Sequence, residues 1–295
     1  MSNGSHSYDV VVVGSSNLDL VATVERFPAP GETVLGTQFA EYPGGKGLNQ
    51  AVACRRAGAD TAFITCLGKD DAGDTLHRLM IQEGIAAYVT DDDGPTGRAL
   101  INVDAQGENS IVVVPGANAH LSLSVVDAHR DLLLRSRVLL CQLEVPLASV
   151  ESALAIAKLG GAQTVLNPAP ACELNRSILQ LCDVIMPNQH ELALLGGASA
   201  LLDAGVTMVV ITLGARGIKI ITAEGERQIP PFAVRAIDTT GAGDAACGAL
   251  ACALAQGSDI TTAARRASAA GALAATKQGA VTSLPTLSEI EYLVN

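Results

Sequence analysis

The apolar positions of this chain come in short runs separated by longer mixed stretches. Residues 8–15 are a continuous Val-rich run, the pattern of a strand buried on both faces of a parallel sheet. Residues 61–67, 138–142, 164–167, 184–186 and 208–212 repeat it. Between them, residues 51–57, 71–83 and 147–158 read as helices. This alternation predicts an α/β fold with a mostly parallel sheet, and ligands gathered at the carboxyl ends of its strands. Two segments, about 18–43 and 96–118, break the rhythm. Both read as strands and turns without helices; the second runs over 97–103, turns at Gly107 and returns over 110–114. They would pair into one small sheet over the strand ends, a lid, or lie as edge strands of the main sheet. Pattern alone leaves both open.

Composition narrows the class. At 295 residues the chain suits one large domain with room for a small appendage. With 48% hydrophobic and 17% charged residues it has material for a sizeable core. No apolar run reaches the roughly 18 residues of a membrane span. The polar start, Met1 to Asp9, lacks the regions of a signal peptide, so a cytoplasmic protein is expected. Seven scattered cysteines, an odd number without Cys-x-x-Cys spacing, read as buried free thiols rather than disulfides or a zinc site. The net charge of −11 argues against nucleic acid or an anionic membrane as partner. A protein this acidic would have to hold phosphate by local devices, such as the N–H groups at a helix N-terminus.

The sharpest chemical signal is residues 238–244, Asp-Thr-Thr-Gly-Ala-Gly-Asp. They follow a predicted strand over 232–237 and precede an Ala-rich predicted helix over 245–255. Gly241, Ala242 and Gly243 at such a turn leave backbone N–H groups uncrowded, and the helix dipole adds its positive end, which makes an anion site. Asp244 in the first turn is placed to take a proton from a hydroxyl beside the bound phosphate. Its bland reading is a helix cap. Residues 241–246 also match the dinucleotide fingerprint nominally, but a second Ala-rich helix over 261–276 follows where that pattern needs a strand ending in an acid.

Residues 44–50, Gly-Gly-Lys-Gly-Leu-Asn-Gln, resemble a phosphate loop superficially. Lys46 is followed by Gly47 rather than Ser or Thr, and the leading glycine is missing, so that reading fails. Gly45 permits close approach of a ligand, and Lys46 and Asn49 offer donors to hydroxyls. Asn17 and Asp19 lie two apart after the first strand and point the same way, which suits vicinal hydroxyls of a polyol. Glu144 follows another strand. Asn188 and Glu191 share a helical face and would order waters of a magnesium ion. Residues 212–217, with Thr212, Gly214, Ala215 and Gly217, link two strands and would let a nucleotide approach the backbone. Singly, each of these reads equally as a cap, a turn or a solvated side chain.

Together and in this order, the motifs resemble the PfkB-type, or ribokinase, family of carbohydrate kinases. The resemblance runs from about Val10 to Ser283: residues 44–50 look like the amino-terminal signature and 238–244 like the highly specific carboxy-terminal one. Residues 28–34, 115–119, 142–144 and 167–171 are ribokinase-like. The resemblance implies a three-layer α/β/α sandwich with a mostly parallel central sheet plus a small β-sheet lid. The main domain would be 8–16, 44–95 and 119–295; the lid, 17–43 and 96–118, would be the contact of a homodimer.

It implies roles as well. Asn17, Asp19, Gly45, Lys46, Asn49 and Glu144 would hold the sugar, Asp244 would be the base, and the amides of residues 241–244 the anion hole. Asn188, Thr212, Gly214, Ala215, Gly217, Gly243 and Ser268 would meet ATP, with Glu191 acting on Mg2+ through water. A K+ ion beside the anion hole would take Asp238, Thr240, Ala274, Lys277, Gly279 and Ser283. The implied activity is ATP-dependent phosphorylation of the primary hydroxyl of a sugar, D-ribose giving D-ribose 5-phosphate. Another pentose, a ketohexose or a nucleoside is the alternative within the class, and a non-catalytic sugar-binding regulator the alternative outside it. Intact Asp244 and both signatures favour a kinase. Ala245, Ala246 and Cys247 after the base, Ser268 where relatives carry His or Asn, and a short stretch over 192–206 depart from the family pattern and bear on nucleotide preference.

Overall fold

Strand β1 (Val10–Val13) is four valines, all buried. Successive side chains of a strand point to opposite faces, so Val10 and Val12 enter one core and Val11 and Val13 another. Such a strand belongs inside a sheet covered on both faces, and β1 lies there. The computed structural model describes residues 8–295. Residues 1–7, most of the polar start judged above against a signal peptide, lie outside the described residues.

From β1 the chain makes β2 (Asn17–Val24) and β3 (Gly36–Gly44), then returns through α1 (Lys46–Arg56), β4 (Thr61–Gly68), α2 (Asp71–Gln82) and β5 (Ala86–Asp92). A second excursion, β6 (Gly97–Val103) and β7 (Asn109–Val114), leads to α3 (Leu123–Ala128), α4 (Arg130–Leu134) and β8 (Val138–Cys141). Next come α5 (Leu147–Leu159), β9 (Gln163–Leu166), α6 (Arg176–Leu179), β10 (Val184–Ile185), α7 (Gln189–Leu194) and α8 (Ala198–Ala204). The chain ends with β11 (Met208–Thr212), β12 (Ile218–Thr222), β13 (Gly225–Ile229), α9 (Ala242–Ala255), α10 (Ile260–Ala274) and α11 (Leu287–Val294).

The main sheet has the order β13-β12-β11-β10-β9-β8-β1-β4-β5, parallel from β11 to β5 and antiparallel at β12 and β13. Helices α1, α9 and α10 cover one face, and α5 covers the other. The two excursions form their own sheet, β3-β2-β6-β7, in which β2 and β6 run parallel. Of the two arrangements left open by the pattern, the separate sheet is the one adopted.

One expected strand is absent. Residues 232–236 are irregular and the chain bends at Ile237. Pro230 and Pro231 precede them and lack the N–H that a ladder needs, and the Ile237 N–H instead donates to the Ala275 carbonyl at 2.8 Å. The predicted helix at 245 in fact starts at Ala242, which places Asp244 inside its first turn. Strands β5 and β13, both at sheet edges, escaped the reading because they are mixed or polar.

Candidate active site

The carboxyl ends of β1, β8, β9, β10 and β11 face the N-termini of α1, α7 and α9. A cavity of about 230 Å³ lies there, lined by Lys46, Asn167, Asn188, Glu191, Thr212, Thr239, Gly241, Gly243, Asp244 and Cys247 among others. The crevice lies outside the strand ends, where open parallel sheets hold ligands.

Gly241 is the N-cap of α9, with φ 75°, a left-handed conformation that favours glycine. A Cβ there would also lie 3.0 Å from the Ala280 Cα. Two turns of chemistry follow from this geometry: Gly243 stays open to the cavity with nothing near a would-be Cβ, and Asp244 points inward, 8% exposed. Asp244 Oδ2 accepts from Asn49 Nδ2 at 2.9 Å, and Oδ1 from Gln50 Nε2 at 2.9 Å. Both donors sit on α1, which packs directly against α9: a Cβ on Gly248 would come within 2.4 Å of the Ala53 Cβ.

The start of α1 carries the next group. Its N-cap Gly45 has φ 89° and no side-chain cap. The Lys46 N–H donates to Glu144 Oε2 at 2.9 Å, and the Ser15 hydroxyl donates to the same oxygen at 2.5 Å. Glu144 thus serves α1 as an acidic partner at the positive end of its dipole. The Lys46 ammonium stands among carboxylates. Burial works against its charge, but Asp244, Glu144 and Glu191 outweigh that and hold it above its ordinary range.

Asp19 lies on β2 beside Gly44, where any side chain at 44 would strike its carboxylate at 2.2 Å. Among the described residues no protein group donates a hydrogen bond to it. Burial, with Glu144 and Asp244 nearby, pushes its carboxyl up to about 7. Asn17 is buried and accepts from Asn118 Nδ2 at 2.8 Å, while Asn118 also clasps the backbone of Ser16.

On the opposite side, Asn188 caps α7 by accepting from the Glu191 N–H at 2.8 Å, and Glu191 Oε2 accepts from the Asn188 N–H at 2.8 Å. The capping box leaves Glu191 on the cavity wall with its second oxygen out of the box. Thr212 pairs with Asn188 through an isolated bridge. Gly214 and Ala215 form the turn beyond it, and Gly217, at φ 82°, lies where a Cβ would strike the Ile229 carbonyl. These three follow Thr212 in the chain and do not line the cavity. Ser268 is buried on α10 with its hydroxyl 3.4 Å from the Pro230 carbonyl, also outside the lining. Burial first, then the Asp244 carboxylate, raises the Cys247 thiol well above its usual range, which makes it an unreactive part of the wall.

Two loops meet beside Gly241. Asp238 accepts from the N–H groups of Thr240 and Gly279, both at 2.9 Å. Burial opposes its charge, but those two N–H groups outweigh it and hold the carboxyl below its usual range. Ala274 ends α10 and its carbonyl accepts from the Lys277 N–H at 3.1 Å. Lys277 turns its ammonium outward to Glu289 at 2.9 Å, and the Ser283 hydroxyl donates to Ala280 at 2.7 Å. Among the described residues no cluster of three or more His, Cys, Asp or Glu is arranged to hold a metal directly.

Four polar residues in this region were not singled out by role from sequence: Ser15, Gln50, Gln142 and Asn167. Their signal was faint but present. Each is a hydrogen-bonding side chain at or beside an otherwise apolar run, and all are buried.

A family model described as pfkB family carbohydrate kinase matches residues 7–287. The chain is 43% identical over 299 residues to the ribokinase of Haemophilus influenzae, covering 96% of this chain and 98% of that one. Among solved structures, ribokinase from Thermotoga maritima matches with a TM-score of 0.90 at 36% identity, over 97% of this chain and 98% of its own. The Arabidopsis thaliana ribokinase, solved in complex with ribose and ATP, matches with a TM-score of 0.88 at 27% identity, over 97% and 98%.

Proposed function

The chain belongs to the pfkB family of carbohydrate kinases, and from that premise we propose that it transfers the γ-phosphoryl group of ATP to the 5-hydroxyl of D-ribose. The observation that carries this is the position of Asp244: a buried carboxylate in the first turn of α9, directly beside the open N–H groups of Gly241 and Gly243, with the Ala242 N–H between them donating to the Thr239 carbonyl at 3.2 Å.

The sugar lies between β2 and the start of α1. Asp19, without a protein donor, accepts hydrogen bonds from sugar hydroxyls, and Asn17, Lys46, Asn49 and Glu144 complete the ring. The backbone at Gly45 leaves room for the sugar to approach. The reacting hydroxyl reaches Asp244 Oδ2, displacing Asn49, and gives up its proton there as the phosphorus is attacked. The N–H groups of Gly241 and Gly243, aligned with the α9 dipole, and that of Ala242 once it leaves the Thr239 carbonyl, receive the charge that builds on the phosphoryl oxygens. Lys46 stands between the carboxylates and the incoming phosphates and reduces their repulsion. Asn188, Thr212, Gly214, Ala215, Gly217 and Ser268 mark the nucleotide side.

The residues present fit two ions. Glu191 keeps one carboxylate oxygen outside its capping box and would hold Mg2+ through water, which screens the phosphates. Asp238 with the carbonyls around Thr240, Ala274, Lys277, Gly279 and Ser283 is an all-oxygen donor set of the kind that suits a hard cation such as K+. The Lys277 ammonium, turned to Glu289, does not fill that place. The ion would hold two loops together beside the anion hole.

The second sheet supports a lid and a dimer contact. Val112 and Val114 on β7, with Leu100 on β6 and Phe39 on β3, share one face of the second sheet and leave it apolar and exposed, larger than single scattered residues would make it. A second copy of the chain is the partner that fits. Among the described residues no helix is long and apolar enough to cross a membrane.

The test is ADP release with ATP across ribose, deoxyribose, other pentoses, ketohexoses and nucleosides. Ribose is expected to give the highest kcat/KM, and Asp244→Asn to lower turnover by about 10²–10⁴-fold. Sugar binding without turnover in the unaltered protein would mark a regulator instead.

A further inference from the structure

Both oxygens of Asp244 accept a hydrogen bond, and both donors come from α1, yet what stands behind the two donors differs. Asn49 holds Oδ2 by one amide hydrogen, and its own Oδ1 is buried without a partner. Gln50 is tied on every side. Its Nε2 donates to Asp244 Oδ1 at 2.9 Å and to Asn167 Oδ1 at 3.0 Å. Its Oε1 accepts from Gln142 Nε2 at 2.6 Å. Asn167 in turn donates to the Met186 carbonyl at 2.9 Å. Gln50 and Gln142 are fully buried.

The direction of every bond in this chain is dictated from its ends. The Met186 carbonyl only accepts, so Asn167 must present its nitrogen there and its oxygen to Gln50. An ionised Asp244 only accepts, so Gln50 must present its nitrogen to both and its oxygen to Gln142. Three elements contribute: β8 ends just before Gln142, β9 just before Asn167, and α1 carries Gln50. The carboxylate is therefore referenced to the central sheet, not only to its own helix.

We propose that Gln50 is a positioning residue for Asp244, set by Gln142 and Asn167, and that it keeps the plane of the carboxylate fixed while Asn49 gives way to the substrate. The proposal rests on the reading of Asp244 as the base. Asn49 is the exchangeable side, since only one of its two amide ends is engaged and Oδ2 is the oxygen it covers. Gln50 is the permanent side, since letting go would strand an Oε1, an Nε2 and the Asn167 oxygen inside the core. A merely structural reading makes the same amides into core cement, with stability as their only output.

The test uses the full chain with Gln50→Leu, Gln50→Met, Gln142→Leu and the Gln50→Leu/Gln142→Leu pair. Turnover at saturating ribose and ATP is expressed per folded enzyme, beside calorimetric affinities for both ligands. Gln50→Leu and Gln50→Met, which keep the bulk and lose the donor, are expected to lower kcat by up to about 10²-fold, the cost of a misplaced catalytic group. Both affinities should stay within about twofold, since neither ligand touches Gln50. Gln142→Leu should lower kcat by a smaller factor, and by nothing further once Gln50 is Leu. Unchanged kcat in the Gln50 variants overturns the proposal, as does an equal loss from Gln142→Leu in both backgrounds. If the Gln50 variants do not fold, unchanged kcat in Gln142→Leu overturns it alone. Asp244→Asn runs alongside: full turnover there removes the base assignment and this inference together, whereas an inactive Asp244→Asn with a normal Gln50→Leu removes only the inference.

Discussion

Asp19 carries a cost in the empty protein that the sugar is expected to relieve, and Asp19→Asn separates the two. Its carboxyl rises to about 7 because it is buried and faces Glu144 and Asp244. In the unfolded chain the same group returns to its ordinary 3.8. Between those values the folded protein binds more protons than the unfolded one, so stability falls as pH rises through that window and is flat above it. Each pH unit is worth about 1.4 kcal/mol, so the roughly three units put the cost of an ionised Asp19 on the order of 4 kcal/mol at pH 8. Asparagine has nearly the same shape and no charge, and its amide can donate toward Glu144 or Asp244. The variant is expected to melt higher than the parent at pH 8, by about 2 °C per kcal/mol recovered in a chain of this size. The two melting curves should converge near pH 4. Ribose affinity should move the other way, since each charge-assisted bond to a hydroxyl is worth roughly 1.5–3 kcal/mol. Thermal melts of parent and variant from pH 4 to 8, with calorimetry of ribose and ATP at pH 8, read all of this. A variant less stable than the parent at pH 8, or a difference that ignores pH, refutes the argument.

Three further outcomes are expected. Replacing potassium by choline at constant ionic strength, with saturating ATP and magnesium, should lower turnover strongly; oriented anion-hole donors are worth about 2.7–4 kcal/mol each where measured, and an unchanged rate rules out a functional ion between Asp238 and Gly279. Val112→Asp places a charge on the exposed apolar face of β7; sedimentation is expected to show a dimer for the parent and a monomer for the variant, and an equal mass for both removes the lid as the contact. Gly248→Ala inserts a methyl group 2.4 Å from the Ala53 Cβ, which should cost about 1–3 kcal/mol in urea unfolding. It should lower kcat as well, because parting α1 from α9 draws Asn49 and Gln50 away from Asp244; a variant of parental stability contradicts the tight helix contact.

The sequence by itself determined the elements whose signal is local. The valines of β1 demand burial on both faces, the alternation of runs demands a parallel sheet, and Gly241 with Asp244 places a glycine turn and a carboxylate within four residues of one another at the start of a helix. Those features depend on neighbours in the chain, where periodicity and backbone conformation are readable. Residues 232–237 show the limit: their pattern resembles a strand, but two prolines and the pull of the Ala275 carbonyl took them out of the sheet. The choice between a separate lid and edge strands was likewise tertiary, since β2 and β6 are far apart in sequence and only their pairing decides it. The fate of the buried amides was decided at the same level. Gln50, Gln142 and Asn167 are three separate polar residues in the chain and one hydrogen-bonded relay in the fold. A buried amide's role is set by the partners that end within about 3 Å of it, and those come from strands and helices whose proximity no local pattern encodes.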